Sequence, residues 1–338
     1  MREPSRRPCS SQHCLVHKCS SSIRVIAPRI LLALAPLLVG VLLAGCGKEE
    51  TETSSSDTEG LFESRTLVAP GSFTSGVEGP AVDAEGNLYA VDYKRNRTIG
   101  IVPPDGEASV FADLPEGSRG NGIRFNSEGL MLVADYTEHN VLAIDTSTRK
   151  VRVYAHEPRM NQPNDLAIGA NDLLYASDPN WSDSTGQLWR VDRDGTTTLL
   201  ETDMGTTNGI EVGPNDQTLY VGESVQRNVW AYDLSEDGKI SNKRLFIEFS
   251  SHGLDGMRTD VDGNLYITRH GKGTVVEVSP EGEVLREIDL TGKNPTNIAF
   301  GGEEGRQAYV TVADRGTIET FRVDRPGRTW KLHQERGE

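Results

Sequence analysis

An all-β ring of six four-stranded antiparallel sheets, a six-bladed β-propeller, is the fold class this sequence predicts. Three observations predict it. A polar anchor residue returns six times, at Glu78, Asn121, Asn164, Asn208, Asp255 and Asn297, with separations of 43, 43, 44, 47 and 42 residues. A period of roughly 40–45 residues holding several short strands is the signature of a propeller blade. Each interval is filled with alternating β-branched and aromatic residues punctuated by Gly, Asp and Asn, which are hairpin signals. Finally, no long stretch after residue 60 shows a helical period.

The elements follow in order within each unit. The anchor opens a short apolar strand, as in Asn121-Gly122-Ile123-Arg124-Phe125 or Asn208-Gly209-Ile210-Glu211-Val212. A turn such as Asp83-Ala84-Glu85-Gly86-Asn87 leads to a second strand, Leu88-Tyr89-Ala90-Val91-Asp92, with counterparts at Met131, Leu174, Leu219, Leu265 and Ala308. A third strand, such as Thr98-Ile99-Gly100-Ile101-Val102, precedes a Pro/Asp/Gly turn and a fourth. Full closure leaves only short, protected sheet edges. Ser64-Arg65-Thr66-Leu67-Val68 stands where a fourth strand would and is predicted to complete the last blade. Arg328-Thr329-Trp330-Lys331-Leu332 is the competing segment for that place.

The ring is predicted to occupy residues 62–327, with a C-terminal tail at 328–338. Residues 1–45 read as an export signal. A leader carrying Arg6, Arg7, Lys18, Arg24 and Arg29 precedes an apolar core from Ile30 to Leu43. That core is short of the ~20 residues a spanning helix needs. Leu43-Ala44-Gly45-Cys46 resembles the bacterial lipobox. The resemblance implies cleavage before Cys46, lipidation of its thiol and attachment to the cell envelope. Gly47 in place of aspartate favours the outer membrane, or the periplasmic face, in a diderm host. Residues 46–61 are rich in Ser, Thr and Glu and read as a tether. Cys9, Cys14 and Cys19 fall in the leader with His13 and His17, at spacings that match no zinc pattern. No cysteine lies in the ring, so its core must stand without disulfides.

Net charge is −15, and −20 beyond residue 45, with 29 basic against 49 acidic residues. A nucleic-acid partner is disfavoured, because phosphate binding needs a basic face. A monomer acting on a small molecule is expected.

In a propeller the first strand of each blade lines the central channel. The six anchors should therefore gather at one mouth. Packing would favour small or apolar groups there, yet the ring is Glu, Asn, Asn, Asn, Asp, Asn. Buried polar groups are costly unless something satisfies them. Carboxylate and amide oxygens suit a hard cation. Ca2+ fits best because it accepts six to eight oxygens in loose geometry, with Mg2+, Mn2+ and Zn2+ as alternatives. The simpler reading takes Asn-Gly and Asp-Gly as turn dipeptides.

The ordered set of motifs resembles the regucalcin/gluconolactonase (senescence-marker-protein) family over about Ser64 to Asp324. The motifs are Glu78-Gly79-Pro80, Pro163-Asn164-Asp165 with Tyr175-Ala176-Ser177-Asp178-Pro179, Asn208-Gly209, Leu254-Asp255-Gly256-Met257, and Pro295-Thr296-Asn297-Ile298-Ala299-Phe300-Gly301-Gly302. The resemblance implies a metal held by Glu78, Asn164, Asn208 and Asp255, and metal-assisted hydrolysis of a lactone or related ester. Asp255 is the implied catalytic carboxylate. Asn121 has a partial counterpart that faces substrate. Trp181, in the loop after Asp178-Pro179-Asn180, and His252 and His270, flanking the fifth blade, are further candidates for substrate contact.

Two non-catalytic readings compete. Gly86-Asn87-Leu88-Tyr89-Ala90-Val91-Asp92 and Asp262-Gly263-Asn264-Leu265-Tyr266 resemble NHL repeats, which form interaction scaffolds. A calcium-stabilised binding protein for a sugar or lipid would carry the same ring without turnover.

Overall fold

The computed structural model describes residues 60–337. The signal, the lipobox with Cys46 and nearly all of the tether lie outside the described residues. Six four-stranded antiparallel sheets make up the described chain. Blade 1 comprises Ala81–Val82, Leu88–Val91, Thr98–Val102 and Ser109–Asp113, and blades 2 to 5 follow the same up-and-down order. Their first strands are Gly120–Phe125, Leu166–Ile168, Thr207–Val212 and Met257–Thr259.

Blade 6 is assembled from both ends of the ring. Pro295–Gly301, Gln307–Val312 and Thr317–Arg322 come from the C-terminal side, and Arg65–Thr66 adds the outer strand, Arg65 facing Thr320 and Thr66 facing Glu319. The Leu67 and Val68 amides extend the pairing to the Ile318 carbonyl. Ring closure thus uses the segment before the first anchor.

The apolar core is not central. It lies in six clusters, each between neighbouring blades; Ile99, Ile123 and Val133 share one, and Trp189 packs against Leu132 and Ala134 in the next. This is why the middle strands are buried on both faces, as at Met131–Asp135 and Asn140–Ile144. Each such aliphatic side chain contributes roughly 1.5–3 kcal/mol through burial.

The C-terminal tail, whose first residues were the competing outer strand, holds a helix, α1, over Arg328–Gly337. Ten residues are too few to show a persuasive period, and a helix this short is marginal unless it packs. Here it packs across the channel end opposite the anchors. Leu332 is buried, Trp330 covers Gly305, the His333 ring meets Phe125 edge-on at 6.2 Å, and Arg336 bonds Asp172 at 2.9 Å.

The NHL-like frame has a local cause. In Asp83-x-x-Gly86-Asn87 the Asp83 carboxylate accepts from the Asn87 backbone amide at 2.8 Å and from its side-chain amide at 2.9 Å. Asp260 holds Asn264 in the same way, at 2.9 and 2.8 Å. The frame is a hairpin clamp on the α1 side of the ring.

Candidate active site

The glycine after four of the anchors explains how these residues come together. A Cβ at Gly79 would sit 2.1 Å from the Asn121 carbonyl oxygen, and one at Gly209 would sit 2.2 Å from that of Asp255. At Gly122 it would meet the Asp165 backbone at 2.8 Å, and at Gly256 the Asn297 side chain at 2.0 Å. Neighbouring first strands therefore approach to backbone contact at the mouth, and only glycine fits. Of these four only Gly79 has positive φ, so the turn-dipeptide reading does not account for the repeat. Backbone bonds tie adjacent blades at this level: Gly122 N–H to Asn164 O at 2.9 Å, and Gly256 N–H to Thr296 O at 2.7 Å.

The anchor side chains then show a shared deficiency. The Oδ1 atoms of Asn121, Asn164 and Asn208 are buried and have no hydrogen-bond partner. Asn208 is fixed in orientation, since its amide nitrogen donates to Ser224 Oγ at 2.9 Å, and Ser224 Oγ in turn donates to the Leu254 carbonyl. A buried acceptor left bare costs about 1–3 kcal/mol, and three of them belong to one ring. Burial also disfavours the charge of the two carboxylates. Burial, reinforced by Glu78 and Asp165, pushes the Asp255 carboxyl well above its usual range, and only weaker contacts with the Asn208 side chain and the Gly256 amide oppose this. Burial and the charge of Asp165 likewise push Glu78 up. Three bare amide oxygens and two carboxylates of the same ring form an all-oxygen donor set, which fits a hard divalent cation.

Asn297 differs from the other amides. Its Oδ1 accepts from the Ile298 amide at 2.9 Å and its side chain bonds Glu78. It braces a carboxylate and offers no free oxygen. Among the described residues no group of three His, Cys, Asp or Glu side chains gathers in metal-binding range; the ring supplies two carboxylates, and its other oxygens are amides.

Sequence reasoning missed Tyr136 and Arg119. The Tyr136 hydroxyl is raised in pKa chiefly by desolvation, feels the charges of Arg119 and Asp255, and meets the Trp181 side chain. Trp181 itself is 38% exposed. The two aromatic side chains thus meet near Asp255, Trp181 with a free face, and Arg119 brings a cation beside them. The only signal in the sequence is position, since Arg119 lies two residues before an anchor and Tyr136 directly follows that blade's second strand, Met131–Asp135. His252 and His270 are exposed on the loops of blade 5. His252 Nδ1 lies 3.1 Å from Ser251 Oγ, and neither imidazole hydrogen-bonds an anchor.

Below the ring, the channel is filled by charge. Asp165 pairs with Arg124 at 3.4 Å and Arg258 at 3.2 Å. Glu211 lies 3.6 Å from Arg124, 4.0 Å from Arg258 and 4.0 Å from Arg328 of α1. All five side chains are 4% exposed or less. Arg124, Glu211 and Arg258 each stand three residues after an anchor, a charged residue inside an apolar strand. That signal was available in the sequence.

Residues 77–314 match the family model described as the SMP-30/Gluconolactonase/LRE-like region. The pentonolactonase XacC of Haloferax volcanii is 36% identical over 131 residues, 38% of this chain and 45% of the relative. The 6-deoxy-6-sulfogluconolactonase of Pseudomonas putida is 34% identical over 129 residues, 37% and 44% of the two chains. The matched stretch thus spans less than half of either relative. Among solved structures, a calcium-binding regucalcin from Agrobacterium tumefaciens superposes with a TM-score of 0.69 at 20% identity, covering 78% of this chain and 95% of that one. A gluconolactonase from Xanthomonas campestris gives 0.68 at 20% identity, covering 81% and 94%. These two establish a common fold. With the family model spanning most of the ring and the anchor geometry in place, the chain belongs to the SMP-30/gluconolactonase/LRE-like family.

Proposed function

We propose that this chain is a divalent-cation-dependent hydrolase of lactones or related esters, with Ca2+ as the preferred ion. The observation that carries the reading is that three unpartnered amide oxygens and two carboxylates with raised pKa belong to the anchor ring at one mouth of the channel. The lactonase names of the relatives support the reaction class. Glu78, Asn164, Asn208 and Asp255 hold the ion, and the bare oxygen of Asn121 faces either the ion or the substrate beside it. When bound, a divalent cation supplies Lewis-acid polarisation of an ester carbonyl and stabilises the developing oxyanion.

The chain's own residues do the rest. Asp255, ionised once its charge is compensated, takes a proton from the attacking water and returns it to the leaving oxygen. The Asn208 side chain steadies the carboxylate while it does so. Trp181 and Tyr136 offer an apolar face with a hydroxyl to a sugar-like ring, and Arg119 meets anionic substituents. His252 and His270 are assigned to the outer rim, where a larger substrate would reach them. The protein is also proposed to be exported and held at the cell envelope through lipidated Cys46, acting there as a monomer.

The test is turnover on a panel of aldonolactones with and without chelator, for the wild type and for Asp255→Asn. Cation-dependent turnover that drops at least about a hundredfold in the variant is expected, in line with loss of a general base. Full activity after exhaustive chelation would overturn the proposal. The NHL-type scaffold reading finds no support at the mouth, since a purely structural ring has no use for three bare amide oxygens.

A further inference from the structure

The charge column and α1 together point beyond the mouth. The column holds three guanidiniums, Arg124, Arg258 and Arg328, against the carboxylates Asp165 and Glu211, with Asp216 as the outer partner of Arg328, so its charge balances only while Arg328 is in place. Two of the guanidiniums rise from first strands. The third comes from α1, which lies outside residues 77–314 matched by the family model. Arg328 is 3% exposed. It donates to the Ile168 carbonyl at 3.0 Å, bonds the Asp216 carboxylate, and stands 4.0 Å from Glu211. Helix docking alone does not require this burial, because Arg336 already fastens α1 from outside, through Asp172 and the Gly169 and Ala170 carbonyls.

The column is shared charge. Arg124 and Arg258 each contact both Asp165 and Glu211. Asp165 follows the ligand Asn164 directly and packs against the Gly122 backbone beneath the ring. With Arg328 in place, Glu211 has a third guanidinium at 4.0 Å, shared with Asp216, and Arg124 and Arg258 stay available to Asp165. Without it, Glu211 competes for both and leaves Asp165 more negative under the ring. Loss of the guanidinium also removes one positive charge from a column of buried side chains, where charges are weakly screened. Both effects act in one direction.

We propose that Arg328, delivered by α1 into the far end of the channel, lowers the affinity of the anchor ring for its cation and so keeps that cation exchangeable. The inference rests on the cation reading above. It makes α1 an electrostatic partner of the site, acting through the column without touching substrate. Coupling between two sites is reciprocal, so cation binding must also weaken the hold on α1.

The experiment is calcium titration by calorimetry of wild type, Arg328→Gln, Arg328→Lys and Arg336→Met, with circular dichroism to confirm folding. Arg328→Gln is expected to bind Ca2+ about tenfold more tightly, as follows from loss of one nearby positive charge in a poorly screened interior. Arg328→Lys keeps the charge and should stay near wild type. Arg336→Met removes a fastening of α1 outside the column and leaves Arg328 its own bonds to the Ile168 carbonyl and Asp216, so any gain in affinity should be well below that of Arg328→Gln. A second measurement needs no substitution: Ca2+ should speed amide exchange in residues 328–337 of the wild type. Equal or weaker binding by Arg328→Gln, or an Arg336→Met effect as large, overturns the proposal. Should Arg328→Gln not fold, exchange in α1 that is unchanged or slowed by Ca2+ overturns it. A wild type that binds no divalent cation would instead sink the reading of the ring itself.

Discussion

At the scale of single residues, the site is decided by glycines as much as by ligands. Gly209 lets blade 4 approach the Asp255 carbonyl closely enough that a methyl group would fall 2.2 Å from it. Neither group can swing away, because the contact is backbone. Gly209→Ala is therefore expected to destabilise the ring by about 1–3 kcal/mol, the range for overpacking a tight interior, and to weaken cation binding by displacing Asp255. Urea unfolding and calcium titration of the same variant measure both. A stable variant with normal affinity would show that the close approach is not needed to set the ring. The four proposed ligands stand out in the sequence because each heads a repeated motif. Tyr136 and Arg119 do not, since nothing local separates a mouth-lining tyrosine from a packing one.

At the scale of elements, α1 is the part the sequence hid. Its stability comes from docking, and one of its docked groups titrates. Burial against Phe125, helped by the positive charge of Arg336 and opposed by Asp83, lowers the His333 imidazole from its usual value to about 4. The folded form thus binds a proton less readily than the unfolded form. Its contribution is fully present above about pH 6.5 and is lost as pH falls toward 4. Amide exchange in residues 328–337 should accordingly accelerate between pH 6.5 and 4.5 relative to the blades, after correction for intrinsic rates. His333→Phe should abolish that acceleration, and a variant that retains it would place the pH response in another group. The strands were easier to read. A period of two with Gly, Asp and Asn at the turns is a local signal repeated six times, and repetition makes even a weak signal plain.

At the scale of the whole molecule, closure depends on distant chain segments meeting. The Arg65–Thr66 strand joins Thr317–Arg322 across some 250 residues of chain, so the N-terminal side of the ring is locked into the same unit as its end. Among the described residues no helix is long and apolar enough to cross a membrane. Attachment to the envelope is proposed separately, through a lipid on Cys46. Metabolic labelling with a fatty-acid probe should mark the wild type and not Cys46→Ser, and the variant should fractionate away from membranes. An unlabelled wild type in the soluble fraction would refute the anchor.

The sequence by itself determined the number of blades, the strand order within each, the polar ring and the family, because all of these rest on residues adjacent in the chain and repeated along it. Tertiary structure alone decided three things: that the amide oxygens of Asn121, Asn164 and Asn208 lack partners, that Tyr136 and Trp181 meet over Asp255, and that Arg328 enters the channel from a terminal helix. The reason is physical. Hydrogen-bond satisfaction and buried charge balance are properties of groups brought together from six blades and one helix, and no window of sequence contains them all.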